Sequence, residues 1–399
     1  MIPKISTLEA VVTKVITGLV LGAALVVEFI HTQPVLGADF RTSNQPIPLI
    51  VDDDGSQDGL IALAYMLQNP KFQVKAITIS HGMAHPQIFG EKLLKALNRL
   101  DVPEIPVGVG SEVPLAGSNA FPEVWRADAD GFYTPYVPSL TEIPSGTVDE
   151  RNAAQLIIDT VKQSSEPVAI LATGSLTNIA QALRQEPSIE NKIAAVEIMG
   201  GAVNVEGNLT FHTDPILAQN QVAEFNIWAD PVAAQEVFSS GLPISLTPLD
   251  ATNPITFTAA DRDAWKAVGT PESILASQLM DYSLSVVAGG VENPVQVWDL
   301  VAAINLSESS FCNEVPLHLE VVTNTAPSET QGQTVKVNGL PSNVNVCLNA
   351  SFNNISFSTH EVFKSKTVPE PVTVFGSLAF STLLAVRELI KCKKQSQRT

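Results

Sequence analysis

The sequence predicts an open α/β domain: a mainly parallel, Rossmann-like sheet with helices on both faces. Three observations lead there. Between residues 45 and 357, short apolar runs alternate with segments of helical spacing, and a βαβα order of that kind implies parallel strands joined by crossover helices. Hydrophobic residues make up 45% of the chain and charged residues 16%, which suits a folded core and not a disordered chain. The 399 residues extend beyond this stretch only at two ends of different character, so a single domain is expected.

In chain order, Pro48 to Val51 reads as a strand ending in acids, followed by helical spacing from Leu60 to Leu67. Val74 to Ile79 is the next strand and Ile88 to Leu100 the next helix. Residues 110 to 148 are rich in Pro, Gly and Ser and read as a long loop or lid. A helix from Ala153 to Val161, a strand from Val168 to Ala172, a helix from Leu176 to Leu183 and a strand from Ala194 to Met199 follow. Then come a helix from Pro231 to Phe238 and a strand from Ile244 to Leu246, and the stretch from Gln331 to Asn354 reads as late strands. Ligands of open parallel sheets bind beyond the carboxyl ends of the strands, so the chemistry is expected there.

The net charge of −18 and pI of about 4.7 repel phosphate backbones and argue against nucleic acid as a partner. A neutral small molecule is compatible with that surface, and clustered carboxylates can hold a hard divalent cation. A homo-oligomer is equally compatible. Cys312 and Cys347 lie in the body and form either a disulfide or two buried thiols, while Cys392 lies in a basic tail.

Residues 1–38 read as a signal peptide, with Lys4 and Lys14, an uncharged run from Val15 to Val27, and small residues at Leu36-Gly37-Ala38. An uncleaved anchor is the alternative. Residues 368–399 carry Val368-Pro369-Glu370-Pro371, an apolar stretch from Val372 to Val386, then Arg387, Lys391, Lys393 and Lys394. This order resembles the PEP-CTERM surface-sorting signal; an ordinary transmembrane tail anchor is the alternative. Either places the body outside the cytoplasm, secreted or at the cell surface, with membrane contact through the terminal segments.

The first strand runs into Asp52-Asp53-Asp54-Gly55-Ser56-Gln57-Asp58-Gly59, four carboxylates in seven residues. They repel one another unless a cation or donors compensate. Alone, the motif also resembles magnesium-dependent haloacid-dehalogenase-type phosphatases, and a helix cap at Asp58 explains only one of the acids. Further along come Thr173-Gly174-Ser175-Leu176-Thr177-Asn178, where Gly174 is expected to free the turn so that the Thr173 carbonyl points at the site. Met199-Gly200-Gly201 and Gly207-Asn208 follow, then Ala223-Glu224-Phe225-Asn226-Ile227 with Asp230-Pro231, and finally Val297-Trp298-Asp299-Leu300 before an apolar helix. If residues 223–226 are extended, Glu224 and Asn226 point the same way and offer complementary groups to a sugar diol.

Taken in order, these stretches resemble the inosine/uridine-type nucleoside hydrolases over roughly residues 47 to 352. The resemblance implies hydrolysis of the N-glycosidic bond of ribonucleosides to ribose and free base, assisted by Ca2+. It implies Asp54, the Thr173 carbonyl and Asp299 as calcium ligands, with Asp58 against the metal or the ribose. Asp54 would also deprotonate the attacking water, and Asn208, Glu224 and Asn226 would hold the ribose. Trp298 stands where many members have a histidine that protonates the leaving base; members with purine preference have tryptophan there and a second stacking tryptophan at the place of Trp125. Two departures stand out. The family's first motif usually ends in two adjacent acids, and here Gly59 replaces the second, a principal calcium ligand, leaving Asp58, Asp53 or water to take over. After the second strand, where Gly-Asn is common, the chain has Ser80-His81-Gly82-Met83-Ala84-His85, so that His85 is a candidate substitute. The alternative function is a non-catalytic nucleoside- or sugar-binding surface protein.

Overall fold

The computed structural model describes residues 45–143, 146–350 and 355–364. The sorting segments proposed for both ends lie outside them. Strands β1 (Ile47–Asp53), β2 (Phe72–Ile79), β3 (Val107–Val109), β4 (Val168–Thr173), β5 (Ile193–Met199) and β6 (Ile244–Thr247) pair in parallel. After β6 come β7 (Val315–Leu317), β8 (Leu319–Val321), β9 (Thr334–Lys336) and β10 (Val344–Val346). The sheet order is β3-β2-β1-β4-β5-β6-β10-β7, with β7 the antiparallel edge, while β8 and β9 form a separate antiparallel pair.

Alternate residues of the central strands feed two cores. Leu49, Val51, Ala169 and Leu171 pack with α1 (Gln57–Gln68) and α2 (Pro86–Arg99) on one face. Ile50, Val168, Ile170 and Ala172 pack on the other face with α4 (Ala153–Gln163) and α5 (Thr177–Gln185). Such two-sided burial is why these strands read as unbroken apolar runs, and each fully buried Ile or Leu contributes about 1.5–3 kcal/mol. All twelve residues of α1 are buried. Ser56 caps it by accepting from Gly59 N at 2.8 Å.

The expected elements all form, most of them one or two residues longer than their apolar centres. Other features differ. The region read as a loop holds the helix α3 (Glu123–Asp130). Residues 225–229 form a short helix, α6 (Phe225–Ala229), ahead of α7 (Pro231–Phe238), so the condition that residues 223–226 be extended holds only as far as Glu224, the N-cap, and fails at Asn226. Between β6 and β7 lie α8 (Leu249–Thr252), α9 (Ala259–Val268), α10 (Pro271–Tyr282) and α11 (Trp298–Ser307), and α12 (Ile355–Lys364) ends the described chain. Cys312 and Cys347 are joined in a disulfide, fixing the segment before β7 to the end of β10. Among the described residues no helix is long and apolar enough to cross a membrane.

Candidate active site

The strand order reverses between β1 and β4, and at such a switch point the diverging crossovers leave a crevice beyond the strand ends. Asp53 of β1 lies beside Thr173 of β4 in register. A cavity of about 610 Å³ opens there, lined by Asp54, Asp58, Thr173, Asn208, Glu224, Asn226, Trp125, Trp298 and Asp299. The metal, ribose and base residues implied by the resemblance therefore line one cavity; the candidate substitute His85 does not. A smaller cavity of about 290 Å³, between Arg99 and Leu275, shares no residue with it.

Asp54 and Asp299 are 245 positions apart yet both bind Ser56, whose N donates to Asp54 Oδ1 at 3.2 Å and whose Oγ donates to Asp299 Oδ2 at 2.8 Å. Asp58, in the first turn of α1, accepts from Asp299 N at 3.3 Å. Asp54 Oδ2 accepts from Met83 N at 3.0 Å. The carboxylate is hemmed in by glycines: a Cβ on Gly82 would lie 2.2 Å from Asp54 Oδ2, and one on Gly174 would lie 2.6 Å from both Asp54 Cβ and Ser80 Oγ. Gly174 is thus required by this close approach rather than by an unusual turn.

Burial raises the proton affinity of every acid here. Asp53 is pushed up to about 7. Asp54 and Asp299 rise well above the carboxylate range through burial and then the charges of neighbouring aspartates, and Asp58 rises through burial. Among the described residues, none of these acids is ion-paired with a lysine or arginine. A dication would relieve both desolvation and mutual repulsion. The donors are oxygens, as a hard cation requires. Among the described residues no three acidic, His or Cys side chains close a cage unaided, so an ion would draw on the Thr173 carbonyl and the ligand as well.

The opposite wall holds amides and rings. Glu224 accepts from the backbone N of Gly201, Asn226 and Ile227 at 2.9, 2.9 and 3.1 Å; burial raises it while these bonds oppose the rise. Asn226 Nδ2 donates to Met199 O at 3.1 Å, which leaves Oδ1 as an acceptor for a ligand. Asn208 Oδ1 accepts from Phe225 N at 3.0 Å, which leaves Nδ2 as a donor. Trp298 opens α11, half-buried, with Nε1 donating to Asn253 Oδ1 at 2.9 Å. Trp125 on α3 tilts against Phe225 with ring centres 5.4 Å apart.

His85 does not join the site. Its Nδ1 pairs with Asp130 Oδ2 at 2.7 Å where it starts α2, and Met83 lines the cavity in its stead. Phe121, Phe211, Phe225, Gln57 and Tyr282 also line it, the last donating to Asp128 Oδ2 at 2.8 Å. Gln57 sits inside the acid-rich first motif and Phe225 between Glu224 and Asn226, so those two positions carried a signal, whereas Phe121, Phe211 and Tyr282 did not, and α10, which brings Tyr282 in, was not foreseen.

A profile of the inosine-uridine preferring nucleoside hydrolase family matches residues 49–356. The pyrimidine-specific ribonucleoside hydrolase RihA of Salmonella dublin is 36% identical over 236 residues, 59% of this chain and 71% of that one. The inosine-uridine preferring nucleoside hydrolase of Bacillus anthracis superposes with a TM-score of 0.66 at 25% identity, covering 80% of this chain and 99% of the other. The purine-preferring ribonucleoside hydrolase of Gardnerella vaginalis, at 23% identity, shares the fold with a TM-score of 0.66 over 79% of this chain and 99% of its own. The phosphatase reading of the first motif explains none of this. With its acids, amides and rings gathered at the switch point of such a sheet, the chain belongs to the inosine-uridine preferring nucleoside hydrolase family, metal-dependent hydrolases of N-glycosidic bonds.

Proposed function

We propose that this enzyme hydrolyses purine ribonucleosides to ribose and free base with the help of calcium, outside the cytoplasm. The observation that carries the reading is Ser56 tying Asp54 to Asp299 at the floor of a cavity that Trp125 and Trp298 also line. Asp54, Asp58, Asp299 and the Thr173 carbonyl would hold the ion, which when bound grips the ribose diol and acidifies water.

The residues of the chain do the rest. Asp54, its proton affinity raised by burial, takes a proton from the attacking water as the new C1′–O bond forms and the C1′–N bond breaks. Asn208 Nδ2 donates to the sugar, while Asn226 Oδ1 and the anchored Glu224 carboxylate accept from its hydroxyls. No histidine lines the cavity among the described residues, so the departing base takes its proton from water. The indoles of Trp125 and Trp298 stack on the base and favour its departure; their broad faces match a bicyclic purine better than a single ring. The Salmonella relative is named for the opposite preference, so base choice is what the assay must decide.

The test is ribose release from inosine, adenosine, guanosine, uridine and cytidine in the presence of calcium. The expected kcat/KM is at least about tenfold higher for purines, a difference of about 1.4 kcal/mol in transition-state binding. Higher values for uridine or cytidine would overturn the preference. Excess chelator should remove the activity and added calcium restore it. For location, residues 1–38 would export the chain and residues 368–399 sort or anchor it; the Cys312–Cys347 disulfide suits an oxidising compartment. Protease treatment of intact cells should degrade the enzyme; full protection would refute export.

A further inference from the structure

Gly59 is the third residue of α1, a place where glycine costs about 0.5–1 kcal/mol relative to alanine. Its φ is not in the left-handed region, so the backbone does not demand it. Space does. A Cβ built on Gly59 would lie 1.9 Å from Asp53 Oδ2 and 2.8 Å from Asp53 Cγ. The room that a side chain at position 59 would need is filled chiefly by the carboxylate of Asp53, with Ser56 Oγ 2.7 Å away as the next contact.

That carboxylate is held in place from two sides. Its Oδ2 accepts from Thr173 Oγ1 at 2.7 Å and its Oδ1 from Gly55 N at 2.8 Å. It is only 2% exposed and has no lysine or arginine ion-paired with it among the described residues. Asp53 lies behind the cavity lining rather than in it; Gln57, 5% exposed and in that lining, has an Oε1 without a partner, and buried Ser80 Oγ beside Asp54 also lacks one. Buried oxygens without hydrogen-bond donors, beside carboxylates without a lysine or arginine, are a donor set that fits a hard cation.

We propose that Asp53 and Gly59 form an exchanged pair: the negative charge absent from position 59 of the helix is supplied from position 53 of the strand, making Asp53 a cation-holding residue of this enzyme. The inference rests on the calcium reading above. It also explains why position 59 carries no side chain, since one there and the observed Asp53 carboxylate cannot share one space.

The test is calorimetric calcium binding to the full chain, with melting temperature in chelator as the folding control. The wild type should bind calcium; no binding would remove the calcium reading and this inference with it. With wild-type binding present, Asp53→Asn, which keeps the shape and most hydrogen bonds, should weaken calcium at least tenfold, as should Asp53→Ala. Gly59→Asp alone should lower the melting temperature without tightening calcium. Asp53→Ala combined with Gly59→Asp should return affinity to within about threefold of wild type. Wild-type affinity in Asp53→Asn, or a double variant no tighter than Asp53→Ala, would overturn the exchange and leave the calcium reading standing.

Discussion

Two groups of buried acids flank the same sheet and serve different ends. Asp54, Asp58 and Asp299 lie at the open ends of β1 and β4 and line the large cavity. Glu197 lies within β5, wholly buried, accepting from Thr247 Oγ1 and from Asn305 Nδ2 of α11 at 3.2–3.3 Å. Ser245 Oγ of the same cluster donates to Glu314 Oε1. Burial raises the proton affinity of both groups, Glu197 to about 8. What separates them is the company they keep. Glu197 has one acidic neighbour, Glu314, shares the neutral donor Asn305 with it and lines neither of the two cavities described, whereas the strand-end aspartates line the large cavity and face several acids at once. High proton affinity alone therefore does not mark a site; acids gathered without cations at an opening do.

The sharpest way to break the comparison is Asp54→Ala. Loss of a positioned base should lower kcat by about 10²–10⁴, while the metal-free melting temperature stays level or rises because a like charge has gone. Retained turnover with a large loss of stability would place Asp54 in the same class as Glu197.

The next effect belongs to the closed cluster and is read by pH. The proton affinity of Glu197 is raised in the fold from an ordinary 4.5 to about 8, so between these values the folded state binds more protons than the unfolded one. Its contribution to stability is fully present below about 4.5 and lost as pH rises through about 8, a change on the order of a few kcal/mol. Glu197→Gln mimics the protonated form, and should flatten that slope in denaturant titrations and leave kcat unchanged. An unaltered slope would show that Glu197 does not carry it.

Much of this architecture was legible. Alternating apolar runs and helical spacing located five of the six parallel strands because burial on both faces leaves unbroken hydrophobic stretches, and the motifs fell at strand ends as the topology requires. What escaped depends on contacts that spacing does not encode. The three residues of β3 are too short for a periodic pattern. An extended course for residues 223–226 was the condition for Glu224 and Asn226 to point the same way; capping, with the Glu224 side chain taking the free N–H groups of Asn226 and Ile227, starts a helix at Phe225 instead. His85 was drawn off by Asp130, 45 positions away. The glycine at 59 was visible as a missing acid, but only the fold shows Asp53 in its space.

Glu224 sharpens the contrast with Glu197, since both are buried glutamates and only the first faces the cavity. Glu224→Gln weakens charge-assisted bonds to three backbone N–H groups and to the sugar. A loss of about 1.5–3 kcal/mol corresponds to roughly 10–100-fold in kcat/KM. If kcat/KM holds and only the melting temperature falls, Glu224 is a structural cap and nothing more.

The smallest effect concerns Trp298, whose ring and N–H could serve separate purposes. The N–H tethers α11 to Asn253; the ring faces the cavity beside Asp299. Trp298→Leu removes both, and loss of stacking worth about 0.5–1.5 kcal/mol should raise KM for inosine roughly 2–12-fold, with a smaller change for uridine. Trp298→Phe keeps an aromatic face and drops only the tether. If stacking is the function, Trp298→Phe stays near wild type on inosine. If it instead matches Trp298→Leu on both nucleosides, the tether to Asn253 is what matters, and the purine preference proposed here loses one of its two walls.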